Sequence, residues 1–434
     1  MKLKSRAQTW AKQYQNELGD VMHENDPVFK PITIGNKTIP NRFAIQAMES
    51  CDADKDGNPT EKTYRRYRKY FEGGAGMVDL EAITVTDETV ARDKQLSVLP
   101  KNQKALEKLV REMKSINPES LFVWQLTHAG ELSNPEFSKR VTVKPLPGFG
   151  GELLDEHDME RIIDRFVLAA KIANDCGADG VDFKNCHGYL GSQLVRPFND
   201  RDWKYGGSFE NRTRFTYTVY ERIAEEIDNP DFIVGSKVSF WEGFPGGQGT
   251  TGPKSPVLDL SESIKLVKGM EERGAKFIIV SAGSPSLTLA LTQPDRAIPD
   301  YVYLHFTFQK AARKTLKPET VVIGSGYSLL GGGRNHFPAL EPEESTLLFW
   351  ANRNITDGIT DMVAFGRQSL ADPQVPLKLK TGKEDDISWC VACDNCVELL
   401  IRQQNVGCTT FDSEYQQILK ETREKMGKLQ FKRT

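Results

Sequence analysis

Four cysteines crowd into one stretch near the carboxyl end. In WCVACDNCVELLIRQQNVGC (389–408), two residues separate Cys390 from Cys393, two separate Cys393 from Cys396, and eleven precede Cys408. Four thiolates so spaced suit a 4Fe–4S cluster or a structural zinc ion, since both take deprotonated sulfur as ligand. The remaining cysteines, Cys51, Cys176 and Cys186, are scattered, and seven in a chain this long do not read as a disulfide framework. A second group of residues carries a different chemistry. Polar side chains recur where apolar runs end: Gln46 and Glu49, Gln125 and His128, Lys184 and His187, and Lys237. Gathered from separate strands onto one rim, they would offer an organic ligand donors, acceptors and charge in a single pocket.

The elements that must gather them are legible as eight apolar, β-rich runs alternating with amphipathic stretches, the pattern of repeated βα units on a parallel sheet. The runs are FAIQAM (43–48), GMVDLEA (76–82), SLFVWQL (120–126), GVDFK (180–184), FIVGSKVS (232–239), KFIIVSA (276–282), TVVIGSG (320–326) and DMVAFG (361–366). Between them lie helical patterns such as QKALEKLVREMKS and SFENRTRFTYTVYERIAEEI, most of which end at glycine or another turn residue. Eight units close into a ring that leaves no sheet edge bare. The expected fold is therefore α/β: a (β/α)8 TIM barrel over residues 27–384, with an N-terminal helical extension (1–26) and a C-terminal cysteine-rich segment and helix (385–434). The glycine-rich loops 241–253 and 324–337 follow strands, where barrels build their active sites, and are candidate lids or substrate walls as much as plain insertions.

Composition narrows the partners. Charged residues make up 27% of the 434 and hydrophobic ones 38%, which suits a globular chain with a substantial core. The net charge is −3 and no long Lys/Arg run occurs, so nothing marks a nucleic-acid surface. The amino terminus lacks the apolar run of a signal peptide, and no stretch of about 20 apolar residues offers a membrane span. A cytoplasmic location is expected.

The segment ADGVDFKNCHGYLGSQLVRPFNDRDWKYGGSFENRTRF (178–215) resembles the histidine-containing strand and YGGS-x-ENR signature of the old yellow enzyme family. PITIGNKTIPNRF (31–43), DGNPTEKTYRRYRKYFEGGAGMV (56–78), WQLTHAG (124–130), GSGY (324–327) and AFGRQSLADP (364–373) match it in the same order. The cysteine segment is similar to that of the family's iron–sulfur branch, which includes 2,4-dienoyl-CoA reductase and trimethylamine dehydrogenase.

This resemblance implies FMN at the barrel's carboxyl face. Gln125 would meet the ring edge with donor and acceptor, and Lys237 would stand where the family usually has arginine beside the flavin N1 and C2 carbonyl. Gln46, Ala47, Met48 and Glu49 would line the ring in place of the family's Ala-Pro-Met loop, with Ala82 on the second strand. Gly324, Gly326, Tyr327, Gly366 and Arg367 fit the phosphate site. Glu49 would hinder ring reduction if ionised, a cost that a raised pKa or a neighbouring cation would relieve, unless it turns towards substrate. Lys184 and His187 match the pair that grips a substrate carbonyl, and Tyr189 the residue that protonates the substrate. Lysine at 184 departs from the family's histidine or tyrosine. For Cys390, Cys393, Cys396 and Cys408 the resemblance favours a 4Fe–4S cluster over zinc. The implied activity is reduction of an α,β-unsaturated carbonyl of flavonoid, steroid, enoate or enoyl thioester type, with NADH or NADPH or a separate electron-transfer protein as donor. The alternatives are an amine or N-methyl dehydrogenase and a non-catalytic electron carrier. Because the iron–sulfur relatives continue into further nucleotide-binding domains, this chain is expected to lack a second flavin of its own, and to self-associate.

Overall fold

A computed structural model describes residues 23–294, 300–331 and 346–429. Most of the expected N-terminal extension and residues 332–337 of the loop 324–337 lie outside the described residues. Eight parallel strands close into a barrel: β1 (Phe43–Ile45), β2 (Met77–Thr84), β3 (Leu121–Thr127), β4 (Gly180–Asn185), β5 (Ile233–Ser239), β6 (Phe277–Ser281), β7 (Val321–Gly324) and β8 (Met362–Phe365). Each pairs with its neighbour in sequence, and β8 returns to β1 through Val363 opposite Phe43. All eight runs read from the sequence are strands, in order. β1 is shorter than its apolar run, because the chain leaves the ladder after Ile45 and continues to Thr60 as a loop.

Helices α1 (Glu61–Glu72), α2 (Gln103–Ile116), α3 (Glu156–Asp175), α4 (Phe209–Glu226), α5 (Ser261–Glu272), α6 (Asp300–Thr315) and α7 (Leu347–Thr356) surround the ring. Their starts are chemically marked. Asp155 and Asp158 cap α3 reciprocally, Ser208 caps α4 and Thr346 caps α7, each satisfying N–H groups that a first helical turn leaves bare. The strands are buried on both faces, as covered parallel strands are.

Strand side chains alternate between the helix layer and the barrel interior, and this period of two decides where the chemistry sits. At the amino ends of the strands the interior positions are apolar: Met77, Leu121, Ile233, Phe277, Val321 and Met362 pack with Ile34 and Ile39 of the hairpin Ile32–Ile34/Lys37–Ile39, which plugs that end. Two or four residues further on, the same faces carry Asp79, Gln125, Asp182, Lys184, Lys237 and Ser281. The interior thus changes from oily to polar along the barrel axis.

Beyond β8, the short α8 (Arg367–Ala371) leads to the cysteine loop, α9 (Asn395–Ile401) and α10 (Ser413–Met426). This tail has a small core of its own around Leu399, Val406, Tyr415 and Leu419. Arg66 of α1 holds it down, bonding both Asp52 (2.8 Å) and the Val406 carbonyl oxygen. Lys62 and Arg65 of α1 bind Glu414 at 2.7 and 2.5 Å.

The apolar layer leaves no slack at Gly235, where an added Cβ would lie 2.4 Å from the Phe277 ring inside the barrel. Gly235→Ala is therefore expected to destabilise the fold by roughly 1–3 kcal/mol through overpacking. A denaturant midpoint unchanged by the substitution would contradict this packing.

Candidate active site

At the carboxyl end of the barrel a cavity of about 520 Å³ opens. Of the fifteen ligand-facing residues expected from the sequence, twelve line it: Gln46, Ala47, Met48, Glu49, Gln125, Lys184, His187, Tyr189, Lys237, Gly326, Gly366 and Arg367. Three stand elsewhere. Ala82 lies within β2, its carbonyl accepting from Gln95 Nε2 at 2.8 Å. Gly324 points outward, and its missing side chain makes room for Gln309 of α6, whose Oε1 would lie 2.2 Å from a Cβ. Tyr327 is buried in the helix layer, its hydroxyl bonded to Asn354 and Gln309.

The floor is made by side chains from β3, β4 and β5, the loop after β1 and the turn after β7. Gln125 Nε2 donates to Asp182 (2.6 Å), leaving Gln125 Oε1 to accept from a ligand. Lys237 Nζ donates to Gln46 Oε1 (3.0 Å), and Gln46 Nε2 to Ser325 Oγ (2.5 Å). Burial pulls the Lys237 ammonium below the ordinary lysine value, against the attraction of Cys186, Asp182 and Asp79. At one end of the cavity Gly326 adopts φ 101°, a conformation open to glycine, and the Gly366 N–H meets Ser328 Oγ at 3.1 Å. Arg367 reaches this end, with its guanidinium on Asp394 (3.0 Å) and the Pro294 carbonyl (2.6 Å). Backbone N–H groups, hydroxyls and an arginine around an unhindered turn are donors a phosphate accepts from. An amide acceptor, an ammonium and a phosphate end in one cavity of this size fit FMN.

Opposite the floor, Glu49 is clasped by three donors. Arg92 Nε reaches it at 2.7 Å, Lys184 Nζ at 3.2 Å, and the Tyr189 hydroxyl bonds the same oxygen as Lys184. Lys184 Nζ also stands 3.5 Å from the centre of the Tyr189 ring, a cation–π contact. Burial pushes the Glu49 carboxyl up, but Arg92, Lys184 and the bonds from Tyr189 and Arg92 outweigh it and hold the group far below the usual carboxylate range. Glu49 is thus ionised and turned towards the substrate side, so it needs no raised pKa. Burial, then Glu49, raises the Tyr189 hydroxyl well above the ordinary tyrosine value, so it keeps its proton. Burial, then Lys237 and Lys184, keeps His187 neutral; its Nε2 pairs with Ser281 Oγ (2.9 Å) and leaves Nδ1 for a ligand.

Several wall residues carry no motif. Arg92 comes from the loop after β2, and Pro285, Leu289 and Gln293 from the segment after β6. Val397, Leu400, Ile401 and Leu429 come from the tail. The loop 241–253 instead serves a buried ion cluster, Arg196 with Glu242 (2.7 Å) and Glu131 (2.7 Å), and does not touch the cavity. His128 faces a separate hollow and bonds Thr89 at 2.8 Å. The four cysteines Cys390, Cys393, Cys396 and Cys408 line one small cavity, with Arg367 between it and the large one. Among the described residues no three His, Cys, Asp or Glu side chains stand close enough to hold a metal ion.

Arg92→Ala would leave the Glu49 carboxylate buried with one cation. The expected loss is about 3 kcal/mol at pH 7. Because Glu49 titrates lower in the folded than in the unfolded chain, its stabilisation is complete above about pH 4.3 and is lost as pH falls through the lower folded-state value. The gap between wild type and variant in denaturant midpoint should therefore narrow in acid; a gap constant from pH 7 to 3 would show that Arg92 does not act through the Glu49 charge.

A family model described as NADH:flavin oxidoreductase / NADH oxidase matches residues 27–324. Similar curated proteins include an NADH oxidase of Thermoanaerobacter brockii, 28% identical over 88% of this chain and 53% of that protein. A cinnamate reductase of Clostridium sporogenes is 26% identical over 88% of this chain and 57% of its own length. A dimethylamine dehydrogenase of Hyphomicrobium is 27% identical over 86% of this chain and 48% of its own. The chain spans about half the length of these relatives. Barrel, cavity and sequence agree: the chain belongs to the NADH:flavin oxidoreductase / NADH oxidase family.

Proposed function

We propose that the chain carries an FMN-dependent reductase site for α,β-unsaturated carbonyl compounds. The observation that carries this reading is that Lys184, His187 and Tyr189 line one cavity, with Lys184 and the Tyr189 hydroxyl both held there on Glu49. A carbonyl that becomes an enolate needs donors on its oxygen and a separate acid at its α-carbon. Bound FMN would supply the hydride equivalent. Gln125 Oε1 and Lys237 would hold and charge-balance the ring, and Gly326, Ser328, Gly366 and Arg367 its phosphate. Lys184 and the His187 Nδ1 would polarise the substrate carbonyl, and Tyr189, which retains its proton throughout the physiological range, would deliver it to the α-carbon. Substrate would take over the donors that Glu49 now occupies.

Charge weighs against the amine dehydrogenase alternative, which the dimethylamine dehydrogenase among the relatives keeps in view. Arg92 and Lys184 bring two positive charges against one on Glu49. A surplus positive charge in a half-closed cavity favours a developing enolate and repels an ammonium ion. The four cysteines line one small cavity, and the likeness of their segment to that of the family's iron–sulfur branch supports a 4Fe–4S cluster as its occupant. Such a cluster would pass electrons from a separate donor, with NADH or NADPH as the direct alternative. All seven cysteines are free, which suits the cytoplasm, and among the described residues no helix is long and apolar enough to cross a membrane.

The decisive assay sets an enone or enoate with NADH against a secondary or tertiary amine with an artificial acceptor. Turnover of the alkene alone is expected; turnover of the amine alone would overturn the reading. Tyr189→Phe should slow alkene reduction about 100-fold or more while NADH reduces the flavin at the wild-type rate. An unchanged alkene rate would remove Tyr189 from proton delivery. Cys396→Ala should abolish iron and sulfide in anaerobically purified protein yet leave FMN bound, as metal analysis and the visible spectrum would record. Iron retained in full would exclude the quartet as its ligand set.

A further inference from the structure

Behind the cavity lining two carboxyl groups stand together, Asp182 of the floor and Asp79 beside it. Asp79 of β2 and Asp182 of β4 point into the barrel at 1% exposure and none. Asp182 is fully provided with donors: Gln125 Nε2 on Oδ2 and the Lys237 backbone N–H on Oδ1, each at 2.6 Å. Asp79 is not. Its Oδ2 accepts one long bond from the Ala47 N–H (3.4 Å), and its Oδ1 meets no donor. An acceptor left bare at this depth is destabilising, and two adjacent ionised carboxylates at low dielectric cannot both persist. One proton between them removes both penalties, because it supplies the bare oxygen with a donor and halves the charge. Burial, reinforced at Asp79 by the neighbouring Asp182, pushes both groups above the ordinary aspartate value.

The surroundings give the pair a task. The charged or titratable groups around it are Lys237 on β5, Cys186 and Lys184 of the β4 end, and Tyr220 of α4; Gln125 of β3 and the Ala47 N–H close the remaining sides. Lys237 lies between the pair and the cavity, its ammonium on Gln46 at the wall. We propose that Asp79 and Asp182 share a single proton and act with Lys237 as one titrating unit behind the flavin site, taking up a second proton when a bound flavin gains a negative charge on two-electron reduction. The pair passes from one proton and charge −1 to two protons and charge zero. The proton comes from solvent, the electrons from the nicotinamide or carrier donor, and the proton leaves again on reoxidation. These are positioning residues that never touch substrate. The inference rests on FMN occupying the cavity and is independent of which substrate is reduced.

Infrared pH-difference spectra test the shared proton without any flavin. A protonated-carboxyl band is expected at neutral pH in the wild type. Glu81, which burial pushes up to about 7, contributes its own band. The assignment therefore depends on loss of part of the signal in both Asp79→Asn and Asp182→Asn, and a band of unaltered size in either variant overturns the proposal. In FMN-loaded protein the midpoint potential between pH 7 and 9 should fall twice as steeply with pH in the wild type as in Asp79→Asn, since two protons rather than one accompany the two electrons. Equal slopes would refute the coupling. A variant that does not load FMN is still decided by the infrared measurement.

Discussion

Everything at the site depends on the strict alternation of side chains along strands that are closed into a ring. Once Met77, Leu121, Ile233 and Phe277 are committed to the interior, Asp79, Gln125, Lys237 and Ser281 must enter it too. A slip of one residue in any strand would send these polar groups into the helix layer and the helix-facing apolar side chains into the cavity. The hairpin plug at one end and the polar interior at the other follow from the same rule. The barrel therefore has a single end at which a polar ligand gains more than it loses on entering.

At that end, charge is arranged in two tiers. The outer tier joins Glu49 to Arg92 and Lys184, and the inner tier joins Lys237 to Asp79 and Asp182. Neither tier is an isolated buried ion, which would be prohibitively costly, and each retains a cation facing the cavity. A ligand that becomes more negative during the reaction is favoured by both. His187, kept neutral between them, contributes a hydrogen bond without adding to the charge.

Much of this was legible in the sequence, for reasons that vary by residue. The strands announced themselves because parallel strands buried on both faces are continuous apolar runs, and Gln125, Lys184 and Lys237 stood out as polar residues within or at the end of such runs. The family motif carried His187 and Tyr189, and spacing carried the cysteines. Ala82, Gly324 and Tyr327 stand off the cavity lining because a residue near a strand end can face either way, and only the register of the ring decides. Arg92 left no trace: it sits in a loop without periodicity and acquires its role by folding back across 43 residues onto Glu49. Asp79 did leave a signal, an acidic residue inside the apolar run GMVDLEA, which propensity alone treats as a defect of the strand.

The tail adds more than cysteines. Val397, Leu400, Ile401 and Leu429 form an apolar ceiling over a chamber whose floor and walls belong to the barrel. That ceiling is fastened by Arg66 and by a four-residue core, and it begins directly after Cys396. The fold of the cysteine loop therefore also sets the height of the chamber. Displacing the cysteine loop would leave that roof free to sag or lift, altering which molecules fit beneath it.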